Sequence, residues 1–367
     1  MLLLIVMLII EGTWSVRLYH SWIFVGTAFL AWVLLTIAGI RDLCHRAWTA
    51  ALSHIGMAMV LIGGMVGAVL ETDVKIVVDS YATERVAYAE TGQPVVLPMN
   101  IRLLDFHIDY YEDAKSPKQY TSTLEIDGRD RIETSVNHPA HYKGWWIYQS
   151  DYDRAQGDFC ILEVVRDPWL PVVYIGFVLM VLAALVQTCR AWHSWYVIPV
   201  ALVLAAVFTV VSLARVELGT LMPALRSLWF FPHILVYMIA YSLLALGLIA
   251  AVWDIVRPLQ GRWTSLPKSL LTTASSLLLI GMLCGAVWAK DAWGDYWMWD
   301  AKECWAAVTW LLTIVGMHIP IPQTAKHNAS RWYILVVILL TFASMQITWY
   351  GVNYLPSAAY SMHTYNK

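Results

Sequence analysis

AKDAWGDYWMWDAKECWAAVTW, residues 289–310, combines five tryptophans (Trp293, Trp297, Trp299, Trp305, Trp310) with Asp295, Asp300, Lys302 and Glu303. Its flanks decide the fold class, because the apolar runs at 268–288 and 303–322 are each close to the ~20 residues that cross a bilayer as a helix. Indole faces beside a few charges suit a flat apolar ring system with polar edges, such as a porphyrin. The plainer reading is an aromatic belt where membrane helices meet water. A belt scatters its Trp and Tyr, however, and charges near lipid are costly, so a dense strip threaded with acids and a lysine favours a ligand platform.

Working outward, the rest of the chain has the composition of a polytopic membrane protein. Of 367 residues, 59% are hydrophobic and 14% charged, with a mean hydropathy of +0.58. An ordinary soluble domain carries nearer a quarter of charged residues. The net charge of −2 argues against nucleic acid as a partner. The leading MLLLIVMLII lacks a basic start and a small-residue cleavage site, so it reads as a short first membrane helix rather than a signal peptide. Hydropathy places about nine spans, at 1–13, 21–40, 50–70, 169–187, 195–213, 233–253, 268–288, 303–322 and 332–351. The fold expected is a polytopic α-helical membrane protein with one small extracytoplasmic β domain.

That β domain is the polar segment 71–168. PVVLPMNIRLLDFHIDYY, TSTLEIDG, WWIYQSDYD and FCILEVVRD are short β-branched and aromatic stretches broken by Gly, Pro and Asp. It holds one cysteine, Cys160, so no disulfide forms within it. None of the five cysteines belongs to a CxxC pair, which removes a dithiol motif, a zinc ribbon and a covalent CxxCH haem site.

Basic residues orient the helices. Arg41 and Arg46, Arg190, Arg257 with Arg262 and Lys268, and Lys326 with Arg331 fall on one side, the cytoplasmic one. The β domain, the tryptophan loop and the C-terminus then face outward together, against outward exceptions at Arg17, Arg215 and Arg226.

Four of eleven histidines fall where this topology makes them interesting. His233, just after Pro232 at the start of a span, and His363 in the tail share the outward face with the tryptophans. His54 and His318 lie at matched depth in the inner half of the bilayer; His318 is about 22 Å down its helix from Glu303 at 1.5 Å per residue. Paired imidazoles are usual axial ligands of haem iron, although a histidine near a span end also snorkels or bonds a neighbouring helix. The other seven, including His138 and His20, read as surface residues.

WGDYWMWDAKECWAAVTW resembles the tryptophan-rich signature of haem-handling proteins in cytochrome c biogenesis, the CcsA/ResC and CcmC group. His233 and His363 match that family's two outward haem ligands, and His318 in WLLTIVGMHIP its histidine on the following span. The front of the chain is similar to the CcsB/ResB partner, with His54 in LSHIGMAMVLIGG and the end of the β domain in GWWIYQSDYD and VVRDP. The resemblance covers nearly the whole chain and implies a fused System II cytochrome c synthetase. Residues 1–70, 71–168 and 169–194 would form the ResB-like part. Residues 195–367 would form the CcsA/ResC-like part, with its tryptophan-rich loop at 289–305. The β domain is short for this family.

By the same resemblance, the substrate is haem b, held only transiently. His54 and His318 take it on the inner side, and His233 and His363 ligate its iron on the outer side. Trp293, Gly294, Trp297, Trp299, Asp300 and Trp305 line the outer site, where CxxCH thiols of apocytochrome c add to the vinyl groups. Thiol reductant proteins of cytochrome maturation and membrane lipid are the implied partners, and a bacterial inner membrane the implied setting. Lys302, Arg226 and Arg215 are candidates for the haem propionates and equally for plain surface roles. Three other readings use the same residues: a haem exporter or chaperone without bond-forming activity, a bis-histidine b-type electron-transfer cytochrome, and a β-domain adaptor on a structural anchor.

Overall fold

The computed structural model describes residues 1–112, 116–153, 158–191, 203, 206, 221–257, 266–318 and 327–361. Among them, six helices are long and apolar enough to cross a membrane. These are α2 (Trp22–Cys44), α3 (Trp48–Leu70), α4 (Leu170–Ala191), α5 (Phe230–Val256), α6 (Leu266–Trp293) and α8 (His327–Trp349). The chain is a polytopic membrane protein. Of the other expected spans, residues 1–13 form part of α1 (Leu2–Trp14), whose 13 residues reach only about 20 Å. The run at 303–322 begins within α7 (Ala301–His318), and 195–213 lies outside the described residues apart from two isolated positions.

The helices look as lipid demands. On α2, Trp22, Ile23 and Ile37 are 90%, 67% and 59% exposed, an apolar face turned away from the rest of the chain. Where helices meet, small residues allow close approach. A Cβ at Gly56 of α3 would lie 2.9 Å from the Gly176 carbonyl of α4, and one at Gly176 would lie 2.7 Å from that of Gly56. Buried hydroxyls join the last helices: Thr309 lies 2.8 Å from Ser344, and Thr313 donates to Ser275 at 2.7 Å. Arg331 of α8 meets the buried Asp254 of α5 at 3.2 Å.

Between α3 and α4 the chain forms one antiparallel sheet of eight strands, in the order β5-β4-β3-β2-β1-β8-β7-β6. The strands run from β1 (Thr72–Asp79) through β2 (Glu84–Tyr88), β3 (Pro94–Tyr110), β4 (Pro117–Ile126), β5 (Asp130–Ser135), β6 (Ala140–Tyr142) and β7 (Trp145–Tyr152) to β8 (Phe159–Arg166). Alternation gives it one dry face, for example Val74, Ile76 and Val78 along β1. The sheet curls until β4 and β5 meet β7: Ser122 donates to Gln149 at 2.5 Å, and Thr134 to the Ile147 carbonyl at 2.7 Å. The first and last strands pair along their length, from Thr72 opposite Arg166 to Asp79 opposite Phe159. The domain therefore rises from the adjacent ends of α3 and α4 on a two-stranded stem.

Candidate functional site

The tryptophan loop is a turn between two capped helices. Helix α6 ends at Gly294, whose φ of +87° is the left-handed conformation that glycine adopts without penalty. A Cβ there would also lie 3.0 Å from Glu163 Oε1, so the turn packs directly on β8. Lys290, 3% exposed, folds back so that its Nζ donates to the Gly294 carbonyl and lies 3.7 Å from Glu71 at the end of α3. Helix α7 opens with a capping box. Asp300 Oδ1 accepts from the Glu303 amide at 2.9 Å, while Glu303 Oε2 accepts from the Asp300 and Met298 amides at 3.2 and 2.8 Å. Asp300 Oδ2 accepts from Ser361 Oγ at 3.0 Å, which ties the tail to the loop. These two carboxylates are spent on holding the loop.

The indoles divide into two groups. Trp299 stacks on Tyr19 from the α1–α2 link, with centroids 5.2 Å apart and planes 7° apart. Phe24 and Trp297 meet its ring edge-on at 5.0 and 6.1 Å. Trp293 instead packs with Trp288 at 5.5 Å, in a cluster with Leu225, Trp229 and Phe230. Trp297 and Trp299 stand 81° apart, so Trp293, Trp297 and Trp299 do not form one flat surface. Trp305 is buried against α1, where a Cβ on Gly12 would lie 2.9 Å from its ring. The indole nitrogens of Trp297 and Trp305 are buried without an acceptor among the described residues. That of Trp305 lies against Gly12 of α1, whereas that of Trp297 suits a ligand with an acceptor edge.

His233 stands in the first turn of α5, over α6. Its Nδ1 lies 2.8 Å from the Gly281 carbonyl. A carbonyl only accepts, so Nδ1 carries the proton, and in the neutral ring Nε2 holds the lone pair that a metal needs. Tyr237 and Trp288 flank the imidazole, with centroids at 4.9 and 5.9 Å. Gly285 makes room for it: a Cβ there would lie 2.7 Å from His233 Cε1 and 2.8 Å from Nδ1. His363 lies outside the described residues.

On the other side, His54 Nδ1 lies 2.7 Å from Oδ2 of Asp42, a carboxylate 6% exposed at the end of α2. This carboxylate–imidazole pair also leaves Nε2 as the ligating nitrogen. His318 is exposed at the end of α7, with Nδ1 2.9 Å from the Ile314 carbonyl. Helix α4 links the two regions. It packs on α3 at Gly56 and reaches α7 through a 3.9 Å contact from Gln187 Nε2 to Met317 Sδ.

The segment 221–226 straps the β domain to the helices. Tyr111 donates to the Leu221 carbonyl at 3.0 Å, Asn137 Nδ2 to Pro223 at 2.8 Å, and Trp288 Nε1 to Ala224 at 2.9 Å. Arg226 donates in turn to the Lys118 carbonyl at 3.2 Å, which commits part of a guanidinium considered above for propionates. Arg215 lies outside the described residues.

Beneath the loop, Glu71, Asp73 and Glu163 meet Asp295. Burial, opposed by Lys290, pushes Glu71 up to about 7. Burial and the neighbouring Asp73 push Glu163 up to about 7. Burial also raises Asp73 and Asp295. Of this junction only Asp295 stands out in the sequence; Glu71, Asp73 and Glu163 do not, and neither do Asp42, Tyr19, Gly285 and Trp288. A lone acid closing an apolar span was the available signal for Asp42; Tyr19 and Gly285 matter only through contacts distant in sequence.

The family model for cytochrome c assembly proteins matches residues 169–358, and that for the ResB-like family matches residues 44–159. The chain is similar to a cytochrome c biogenesis protein CcsA of Guillardia theta, 33% identical over 172 residues that cover 38% of this chain and 56% of that protein. A CcsA of Chlamydomonas reinhardtii is 27% identical over 162 residues, covering 41% of this chain and 45% of that protein. For a CcsA of Mesostigma viride the values are 24% over 245 residues, 57% and 73%. The chain spans about half the length of the first two relatives.

Proposed function

Because the chain belongs to the cytochrome c assembly protein family, we propose that it moves haem b across a membrane and presents it for thioether attachment to the CxxCH segment of apocytochrome c. The observation that carries this reading is the setting of His233. Its Nδ1 is pinned to Gly281, so Nε2 keeps the lone pair, and it stands in an aromatic cluster that continues to Trp293. The C-terminal tail meets the tryptophan loop at Ser361, two residues before His363, which supports that histidine as the second outer ligand. The orphaned indole donor of Trp297 fits the carboxylate edge of a porphyrin. His54, oriented by Asp42, and His318 form the inner site from which haem is passed outward.

Each attachment adds a thiol S–H across a vinyl group. Sulfur bonds to one carbon, hydrogen to the other, and no electrons are gained or lost. The protein's part is proximity and orientation, with axial imidazoles setting the state of the iron. Asp300 acts here by holding the loop rather than by transferring protons, and Gly294 by letting the loop sit on the β domain. The setting proposed is a bacterial inner membrane crossed about nine times, with the β domain, the tryptophan loop and the tail on the periplasmic side. Residues 1–194 would form the ResB-like part and 195–367 the CcsA-like part, although the cytochrome c assembly match already begins at residue 169, at the start of α4, and the ResB-like match ends at 159. Thiol reductant proteins would keep the cysteines of the apocytochrome reduced.

The test expresses the chain with an apocytochrome in a host without its own maturation genes, beside His233→Ala and His363→Ala. Covalent haem on the cytochrome, read by denaturing gel, should form with the parent and fall sharply in both variants. Haem on the membrane protein with none on the cytochrome would make the chain a carrier. Permanently bound haem that titrates reversibly would make it an electron-transfer cytochrome.

A further inference from the structure

Residues 1–43 precede both family matches, yet part of this segment is built into the outer site. Helix α1 packs on α7, where a Cβ on Gly12 would meet Cys304 and Trp305, and the Gly12 carbonyl accepts from Ser357 Oγ at 2.7 Å. Beyond α1, the link to α2 lays Tyr19 flat against Trp299, and Phe24 of α2 meets the same ring. Residues 1–24 therefore touch the tryptophan loop, the helix that follows it and the tail that leads to His363.

Glu11 is the informative residue. It is 3% exposed, in a helix with no other charged side chain, where an acid is costly and calls for a role. It gives both carboxylate oxygens to the chain that follows: Oε1 accepts from the Arg17 amide at 3.2 Å and Oε2 from the Leu18 amide at 2.7 Å. Ser15 and Arg17 have left-handed backbones, with φ of +49° and +57°, a conformation costly to residues other than glycine. The carboxylate holds the chain to this path, and the path delivers Tyr19. The same device stands on the other side of the stack. Trp299 is also left-handed, with φ of +61°, which is rare for a side chain of its size. The amides on either side of it, of Met298 and Asp300, are held by Glu303 Oε2, and its carbonyl accepts from the buried Cys304 thiol at 3.4 Å. Strain of this kind persists only where the surroundings over-determine it, and it gathers at functional sites. Two carboxylates thus pin two strained turns, and the rings they present lie 7° from parallel.

We propose that Glu11 and Tyr19 are positioning residues of the outer site, acting on haem through Trp299. This rests on the function proposed above, in which that indole lines the site. Neither residue takes part in the bond-forming step: Glu11 sets the link, the link sets Tyr19, and Tyr19 sets the plane of the indole.

The test uses the full-length chain from the same host, with three readouts: hydrogen exchange of peptides spanning Met298 and Asp300, the Soret band of co-purified haem, and covalent haem on the cytochrome. Tyr19→Phe keeps the flat ring, whereas Tyr19→Leu keeps only apolar bulk. Glu11→Gln keeps the shape of Glu11 but turns an NH2 group toward one of the two amides. Tyr19→Phe should match the parent throughout. Tyr19→Leu and Glu11→Gln should speed exchange in the loop, shift the Soret band and lower attachment by about three- to tenfold, the worth of one aromatic pair. The double variant Glu11→Gln/Tyr19→Leu should lose no more than Tyr19→Leu, because Glu11 acts through Tyr19. Parental behaviour of Tyr19→Leu, equal losses in Tyr19→Phe and Tyr19→Leu, or additive losses in the double variant would each overturn the proposal. So would faster loop exchange with an unchanged Soret band and unchanged attachment, since the contact would then be structural alone. A parent that binds no haem would remove the function proposed above; faster loop exchange in Tyr19→Leu but not in Tyr19→Phe would still leave these residues as those that position Trp299, and unchanged exchange would remove both readings.

Discussion

Gly285→Ala is a methyl group added to an α6 helix that should welcome it. In a helix interior, alanine is favoured over glycine by about 1 kcal/mol. Here, however, the new Cβ would lie 2.7 Å from His233 Cε1 and 2.8 Å from Nδ1, where ordinary contact begins at 3.4 Å. The imidazole must retreat by roughly 0.7 Å, and that stretches the 2.8 Å bond from Nδ1 to the Gly281 carbonyl beyond useful length. Losing one such bond costs about 0.5–1.5 kcal/mol, so global stability should change little. Ligation should change far more, because the bond that fixed the tautomer is gone. Misplacement by about 1 Å costs a reacting group on the order of a hundredfold. The assay compares thermal unfolding, Soret absorbance and haem-stained cytochrome for the parent, Gly285→Ala and His233→Ala. Unfolding near that of the parent, with haem attachment close to the His233→Ala level, is expected. Parental attachment in Gly285→Ala would refute the argument that this glycine exists to seat the imidazole.

Three further outcomes follow from the geometry. Lys290→Met should lower stability by about 1–3 kcal/mol, since it strands Glu71 and the Gly294 carbonyl together; thermal unfolding in detergent measures it, and no change would mean that the turn holds itself. Asp42→Asn should weaken haem retention at the inner site by about 10–100-fold through loss of the carboxylate behind His54, and a Soret band equal to the parent's would remove that role. The junction of β domain and loop should respond to pH. Glu71 and Glu163 rise from an ordinary 4.5 to about 7, so their protonated forms favour the docked state. That stability is complete below about 4.5 and is lost as pH rises through about 7. Unfolding temperatures should fall from pH 5 to pH 8, and the slope should flatten in Glu71→Gln/Glu163→Gln; an unchanged slope would assign it elsewhere.

Much of this architecture is legible in the sequence because it depends on periodicity and neighbours. Apolar run lengths locate α2 to α6 and α8, and alternation such as that along β1 exposes the sheet. The capping box is written locally, as Asp300 and Glu303 three residues apart. The indoles mislead where reach alone is read: Trp293, Trp297 and Trp299 lie within seven residues. Yet the Gly294 turn and the Tyr19 stack send them into different clusters. Gly285 is silent in sequence, since its meaning is a ring from another helix. Asn137 is equally ambiguous, because Asn in a tight turn needs no further reason.

The strap carries a consequence for how the chain is assembled. Tyr111, Asn137 and the Lys118 carbonyl come from the part of the chain that matches ResB, and the residues they hold lead directly into the helix bearing His233. Three hydrogen bonds are a weak clasp between separate molecules. Within one polypeptide, the partners meet at an effective concentration near millimolar, and the clasp closes without a search. Cutting the chain in the stretch before the strap would leave every contact available and make the outer histidine's position depend on how much of the other half is present.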